Sequence, residues 1–323
     1  MTTANLHSSL PFDQQRLANS HGWQGPKWLA WLDSDHFPQG KQFVREQQPQ
    51  IEFLRMVPFT FLHLGALAAI WVPFSWQCVA LLVVLYVVRM FAITAFYHRY
   101  FAHKAFKTHR WFQAVMAFVG GTSLQRGALW WAANHRHHHA FSDKPNDLHS
   151  VRHGGFVYAH IGWLTSSHSM PTDYRLIKDF ERFPELLWLN RFDWVPPVIL
   201  FFAMIALGAL TPWFTVLQAV IWGFFLGSVV LFHGTVFINS LAHVWGNRRY
   251  ETTDDSKNNF WLSLITLGEG WHNNHHRFPG TVRQGFFWWE IDVSYYILKA
   301  MSWVGLVWDL RPVPKQAYEL ASK

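Results

Sequence analysis

Two long blocks of the chain show no alternation of apolar and polar residues. Residues 59–97 and 194–238 contain no Asp or Glu and only one Lys or Arg, Arg89. Each block is about twice the roughly 20 residues that cross a bilayer as a helix. Each also carries a proline near its middle, Pro73 in VPFSWQ and Pro212 in LTPW. The pattern predicts two hairpins of spanning helices, with four spans over about 57–74, 76–97, 194–212 and 215–238. The turns WVPFSWQ and LTPWF are uncharged, and 26 of the 27 Lys and Arg fall in residues 1–58, 98–193 and 239–323. By the positive-inside rule these three segments, both termini included, lie in the cytoplasm.

Two further apolar stretches read differently. WFQAVMAFVGGTSLQRGALWW, from Trp111, is broken by Gln113, Gly120-Gly121 and Gln125-Arg126, so an interfacial position is expected. Residues 286–308 are long enough to span, but Glu290, Asp292 and Lys299 predict a helix lying in the interface with its aromatics in lipid. The expected fold is an all-α integral membrane protein. Residues 1–50 form a peripheral arm, residues 51–311 a membrane domain, and residues 312–323 a tail. Within the domain, 98–193 and 239–311 form a cytoplasmic helical cap.

Composition sharpens this reading. The chain is 50% hydrophobic and 15% charged with a formal charge of +7, which alone would suit a nucleic-acid partner. Twenty Trp and 29 Phe around uncharged blocks instead fit a protein whose basic face meets anionic headgroups or an acidic partner, and nucleic acid is not expected. The single Cys78 cannot form an internal disulfide and sits in an apolar block, so thiol chemistry is not the centre of function. The N-terminus lacks a basic start followed by an apolar run, so no cleaved signal peptide is expected. The 20 histidines stand out most, being about three times an average share.

Three histidine groups fall on one predicted membrane face: HRYFAH (His98, His103), HRHHH (His135, His138, His139) and WHNNHH (His272, His275, His276). Helical positions i, i+3 and i+4 share a face, so the members of either HxxHH group can converge on one site. Adjacent histidines point about 100° apart, so each HH pair can serve two neighbouring metals. His98 and His103, five apart, do not align on an ideal helix and are expected where the helix ends or bends. His63 and His233, single histidines in apolar helices, read as hydrogen-bonded core residues. Eight histidines exceed one zinc site and argue for two ions, although imidazole suits Fe, Cu, Ni and Zn alike. The carboxylate di-iron bundles need Glu-x-x-His on each of two helices, and only Glu269 to His272 offers it here. Redox iron acting on something dissolved in the bilayer gives both the membrane and the histidines a purpose.

The chain resembles the membrane fatty acid desaturases, in particular the acyl-CoA delta-9 (stearoyl-CoA type) enzymes and their bacterial relatives. The resemblance is carried by HRYFAH at 98, NHRHHHAFSD at 134, NSLAHVWG at 239, GEGWHNNHHRFP at 268 and WWEID at 288. It implies two irons held by the eight box histidines and a ninth, His243, with Asn239 acting through a water and O2 as co-substrate. His137, inside the second box, falls at a position the family leaves variable. Animal acyl-CoA members read W-A-R-D-H before the second box, where this chain has Ala133 and Asn134. Their basic stretch after G-W-L is replaced here by TSSHSMPTDY, following Gly162-Trp163-Leu164.

The resulting expectation is an oxygen-dependent desaturase that places a cis double bond, at delta-9, in a saturated acyl-CoA of about 16 to 18 carbons, with acyl groups on phospholipid as the alternative carrier. Unactivated methylenes have no acidic proton, so redox metal must do the chemistry. The protein holds the chain in a narrow apolar tunnel, with Trp130, Trp131, Trp163 and Trp271 as candidate lining. Arg126 and Arg152, with Arg175 and Lys178, are candidate contacts to a polar head. No GxGxxG, heme-attachment or cysteine-cluster motif is present, so electrons come from a ferredoxin or cytochrome b5 type donor and an NAD(P)H reductase. A bacterial inner membrane is favoured over endoplasmic reticulum. A membrane di-iron hydroxylase would differ in box spacing and lack NSxAH. A metal transporter would place polar ligands inside the spans, which offer only His63, Arg89, His233 and a few Gln, Ser and Thr. Reporter fusions after Trp76 and Trp213 are expected to read as external, and those after Asn146 and Asn258 as internal. Opposite signals at the latter two would break the shared site.

Overall fold

The computed structural model describes residues 26–37, 40–46 and 49–321 and is mostly helical. The first apolar block gives helix α1, Phe53–Leu67, and helix α2, Trp76–Ala102. Short helices α3 (Arg110–Gly121), α4 (Ala128–Phe141) and α5 (Pro184–Arg191) follow. The second block gives α6 (Val195–Leu210) and α7 (Val216–His243). Beyond it lie α8 (Phe260–Ile265), α9 (His272–Arg277) and α10 (Val293–Trp303). Among the described residues the departures from an all-α chain are a pair of two-residue antiparallel strands, Lys107–Thr108 and Val307–Trp308, and three isolated bridges.

Helices α2 and α7, of 27 and 28 residues, are long and apolar enough to cross a membrane. Helices α5 and α6, bent by 73° at a short break, make a third crossing if taken as one. Helix α1 is shorter than expected. Its 15 residues, bounded by Glu52 and a 3-10 turn over Ala68–Ile70, rise about 22 Å against a hydrocarbon layer of about 30 Å. Its outward side chains are nevertheless apolar, with Leu54 84% exposed and Phe53, Val57, Phe61 and Leu64 exposed beside it, a surface that suits lipid. Helices α1, α6 and α7 are joined deep in the bundle by Leu62, Ala66, Met204, Ile221, Phe224 and Phe225. Arg89, the one charge of the apolar blocks, is buried and donates to Ser228 Oγ and Leu85 O.

Single histidines tie α1 to α7 and to the cap. His63 Nδ1 lies 2.8 Å from Phe59 O, which can only accept, so His63 Nε2 is the bare nitrogen and His233 Nε2 donates to it at 3.0 Å. His233 Nδ1 then accepts from His160 Nε2 at 3.0 Å, and His160 Nδ1 meets Ser240 Oγ at 2.9 Å. The expectation of hydrogen-bonded histidines is met by a chain of three imidazoles.

Two stretches differ from their expected place. Residues 286–308 are helical only over Val293–Trp303, and the acidic residues that argued against a span do not face water: Glu290 and Asp292 are fully buried. Asp292 takes both carboxylate oxygens to Arg99 Nη1 at 2.9 and 3.0 Å, and Glu290 pairs with Arg249. The described part of the N-terminal arm is not peripheral. Asp33 pairs with Arg191, Ser34 Oγ donates to Asp193, and Asp35 accepts from Tyr174 and pairs with Lys41. Residues 1–25 of the arm lie outside the described residues. The stretch from Trp111 forms α3, whose Phe112, Met116 and Ala117 are buried against the end of α2; Gly120 lets the two helices approach, since a Cβ there would strike the Tyr97 ring.

Arg99 is the hub of this region. Its Nε and Nη2 donate to Glu269 Oε1 at 3.1 and 3.0 Å and its Nη1 to Val282 O and Asp292. Gly268, at φ +127°, leaves room for it: a Cβ there would lie 2.8 Å from the Asp292 carboxyl carbon. Replacing Arg99 with Met strands two buried carboxylates, so Arg99→Met is expected to cost about 3–5 kcal/mol, read as a lowered melting temperature of the detergent-solubilised protein.

Candidate metal centre

The widened turn at the end of α2 answers the five-residue spacing of the first box. From Ala92 to Ala102 the helix is a π-helix, in which i and i+5 stack, and His103 N donates to His98 O at 3.2 Å. His98 and His103 therefore meet on one face at the end of α2, where His103 caps the helix, as the spacing led us to expect of a helix end. With His135 and His139, one turn apart on α4, and His275 on α9, their ligand atoms lie within 4.8 Å of one another. A second group of the same tightness contains His138, His243, His272 and His276. Neither HxxHH box converges on one group. Each is split, His138 from His135 and His139, and His275 from His272 and His276, because the two adjacent histidines of each box point about 100° apart and serve different groups. The groups adjoin, with the His139 and His276 rings 4.6 Å apart. His137 points away, toward Asn146 O.

In the first group the Nε2 atoms face one another. His103 to His135 is 2.9 Å, His135 to His139 is 3.0 Å, His139 to His275 is 2.8 Å and His275 to His98 is 3.0 Å. A neutral imidazole brings one N–H and one lone pair, so five inward Nε2 atoms cannot all satisfy each other. Nitrogens bound about 2.0–2.1 Å from a common ion lie about 2.9–3.4 Å apart, so the residues fit a shared cation. In the second group His243 and His272 Nε2 are 3.1 Å apart, and His276 Nε2 is buried without a partner among the described residues.

Burial, and then the neighbouring histidines, hold His103, His135, His139, His272 and His275 well below the ordinary imidazole range, keeping their lone pairs free. His276 is pushed down to about 4 by burial, against the pull of Asp254. At His138 burial opposes the charge, but Asp147, Asp143 and Asp254 outweigh it and raise the ring. Behind the rings stand carboxylates that were not singled out from the sequence as partners. Asp147 takes His138 Nδ1 at 3.1 Å, Asp143 takes His243 Nδ1 at 2.9 Å, Asp254 takes His276 Nδ1 at 2.7 Å, and Glu269 takes His98 Nδ1. Such partners fix which ring nitrogen faces inward. Their signal in the sequence is proximity: Asp143 and Asp147 follow the second box closely in a chain with only 20 acidic residues.

A cavity of about 450 Å³ reaches the first group at His135 and is lined by Trp130, Trp131, Trp163, Asn134 and Asn239. A smaller one beneath both groups shares Trp131, His135 and Asn239 and continues to Met90 and Ile93. Trp271 lies outside both, its indole donating to Ile291 O. Arg126 lines the larger cavity, but Arg152 pairs with Asp255 at the surface. His149 was overlooked in the sequence. It lines the cavity, its ring stacks 4.2 Å from His138, and with His138 and Asp147 it forms a third close group. Burial pushes it down to about 3.

Comparison with known proteins accords with this geometry. The sequence model of the fatty acid desaturase family matches residues 74–304, a stretch that holds every histidine of both groups. The chain is 34% identical to the sn-2 palmitoyl-lipid 9-desaturase of Nostoc sp. (strain 36), over 84% of this chain and 94% of that one. It is 34% identical to the delta-9 acyl-lipid desaturase 1 of Arabidopsis thaliana, over 81% and 84%. It is 32% identical to an acyl-CoA 5-desaturase of Anemone leveillei, over 89% and 91%. Matched over most of its length, and through the helices that carry its nine clustered histidines, the chain belongs to the fatty acid desaturase family and is similar to its delta-9 members.

Proposed function

We propose that this membrane desaturase introduces a cis double bond at the delta-9 position of a saturated acyl chain carried on a membrane lipid, using two irons, O2 and electrons from a separate ferredoxin or cytochrome b5 type protein. The observation that carries the reading is the pair of adjoining histidine groups, the first of which an apolar cavity reaches at His135. The balance is one CH2–CH2 unit, O2, two electrons and two protons giving CH=CH and two waters. His98, His103, His135, His139 and His275 would hold one iron, and His138, His243, His272 and His276, with Asn239 through a water, the other; together the irons would supply the redox chemistry needed at unactivated methylenes. Asp143, Asp147, Asp254 and Glu269 orient the rings. Trp130, Trp131 and Trp163 exclude water and hold the chain in one register beside His135.

Two observations favour a lipid carrier over the acyl-CoA expected from the catalytic motifs. Several of the similar proteins are named as acting on lipid-linked chains. The arginines that were candidates to hold a phosphate are paired with carboxylates: Arg126 with Asp193, Arg152 with Asp255 and Arg175 with Asp173. Four crossing segments with both termini cytoplasmic, in a bacterial inner membrane, complete the reading.

Purified protein is expected to hold two irons per chain and, with reductase, donor and O2, to form monoenes whose bond position is read by mass spectrometry of disulfide adducts. Alanine at any of the nine histidines is expected to abolish this, while His137→Ala keeps most of it. Hydroxylated products, or full activity with zinc alone, would overturn the reading. Asp254→Ala, which frees the His276 ring, is expected to weaken metal retention against a chelator by roughly 10- to 100-fold.

A further inference from the structure

The larger cavity is open on one side and tied shut on another. Of its lining residues three are exposed at the molecular surface, and all three lie on or beside the apolar helices: Pro58 on α1, and Trp194 and Val198 at the start of α6. Those that the cap and residues 26–37 contribute are buried or half-buried. Exposed apolar side chains flank it on both helices, Leu54, Val57 and Phe61 on α1 and Ile199 and Phe202 on α6. Helix α6 starts with two prolines, and Pro58 lies inside α1, so backbone donors are missing on both sides of the opening.

Toward the cap the cavity is closed by a polar tie. Arg126 donates from Nε to Asp193 at 2.9 Å, from Nη1 to Met170 O at 2.9 Å and from Nη2 to Ser34 O at 3.2 Å. Ser34 Oγ donates to Asp193 at 2.6 Å, and Trp194 Nε1 to Leu32 O at 2.9 Å. Arg126, the one Lys or Arg lining the cavity among the described residues, therefore has all three guanidinium nitrogens engaged, and the segment that carries Leu32 and Ser34 lies across this side.

We propose that the opening between Pro58 and Val198 is a lateral portal, through which one acyl chain of a glycerolipid slides from the surrounding leaflet to the histidine groups while its headgroup stays at the membrane surface. This rests on the desaturase reading for its chemistry, but not for its geometry. The apolar side chains described at the rims match a hydrocarbon tail, whereas the side facing the cap would have to break an ion pair to admit a water-borne, phosphate-bearing carrier.

The test uses full-length Val198→Cys and Pro58→Cys protein in vesicles of a saturated phosphatidylcholine doped with a phosphatidylcholine bearing a photoreactive diazirine in mid-chain. Illumination is expected to label the peptide containing Trp130 and Trp131. Prior treatment with a bulky apolar methanethiosulfonate is expected to reduce labelling roughly tenfold, with recovery on reduction of the mixed disulfide. Val84→Cys, on the lipid-facing side of α2 and away from both cavities, is expected to label equally before and after treatment, as is the unaltered protein, whose Cys78 is buried. Labelling of the Trp130 peptide that persists undiminished in both blocked variants would overturn the portal, as would its absence from untreated protein. Double-bond formation is followed in the same vesicles. Labelling that depends on the portal without any monoene from untreated protein would defeat the desaturase reading and leave the portal standing.

Discussion

Neutral imidazoles brought together nitrogen to nitrogen have too few protons to satisfy one another, and this shortage governs the cap. Nine rings are aimed at two adjoining points, so each must be held from behind by a group that takes its other nitrogen or by packing that leaves it no choice. Asp143, Asp147, Asp254 and Glu269 do the first. Those carboxylates need company in turn. Glu269 is bridged to Asp292 through the buried Arg99, which draws the chain after α9 back against the end of α2. Ser150 and the Asp255 N–H donate to Asp143, which binds the loop before α8 to the end of α4. The order of elements in the cap follows from an electrostatic requirement at its centre.

Much of this was legible in the sequence because the signals are local. The apolar blocks mark α1, α2, α6 and α7 by composition, and the spacing of the histidines marks the residues that gather. What was not legible depends on distant partners or on backbone geometry. Glu290 and Asp292 read as solvent-facing because the arginines that neutralise them, Arg249 and Arg99, lie far away in the chain. Nothing in IEFLRMV announces that α1 is only 15 residues long. The split of each HxxHH box between two groups follows from helix geometry, whereas the π-helix that aligns His98 with His103 has no residue signature. His149 is a single histidine in a polar stretch, and only burial beside His138 sets it apart.

The cavity joins the two halves of the molecule. Its inner end is made by α4 and α7, which carry histidines, and its outer end by α1 and α6, which carry none of the clustered ones. A flexible hydrocarbon held there is positioned by aromatic walls and not by hydrogen bonds, so its register is a matter of cavity shape. The smaller cavity continues past the groups toward Met90 and Ile93, and side-chain size at those positions bears on how far a chain can extend beyond the reacting carbons.

The chain of imidazoles from Ser240 to His63 has a direction, and that direction has an electrical consequence. Histidines strung through a membrane bundle are the usual material of a proton wire, in which each ring passes one proton on and then turns over. Here the last ring donates to the carbonyl of Phe59, which has no proton to release and no basicity with which to accept one. The seam holds α1, α7 and the cap together through polar groups, and it ends on a backbone carbonyl and not on a group that titrates.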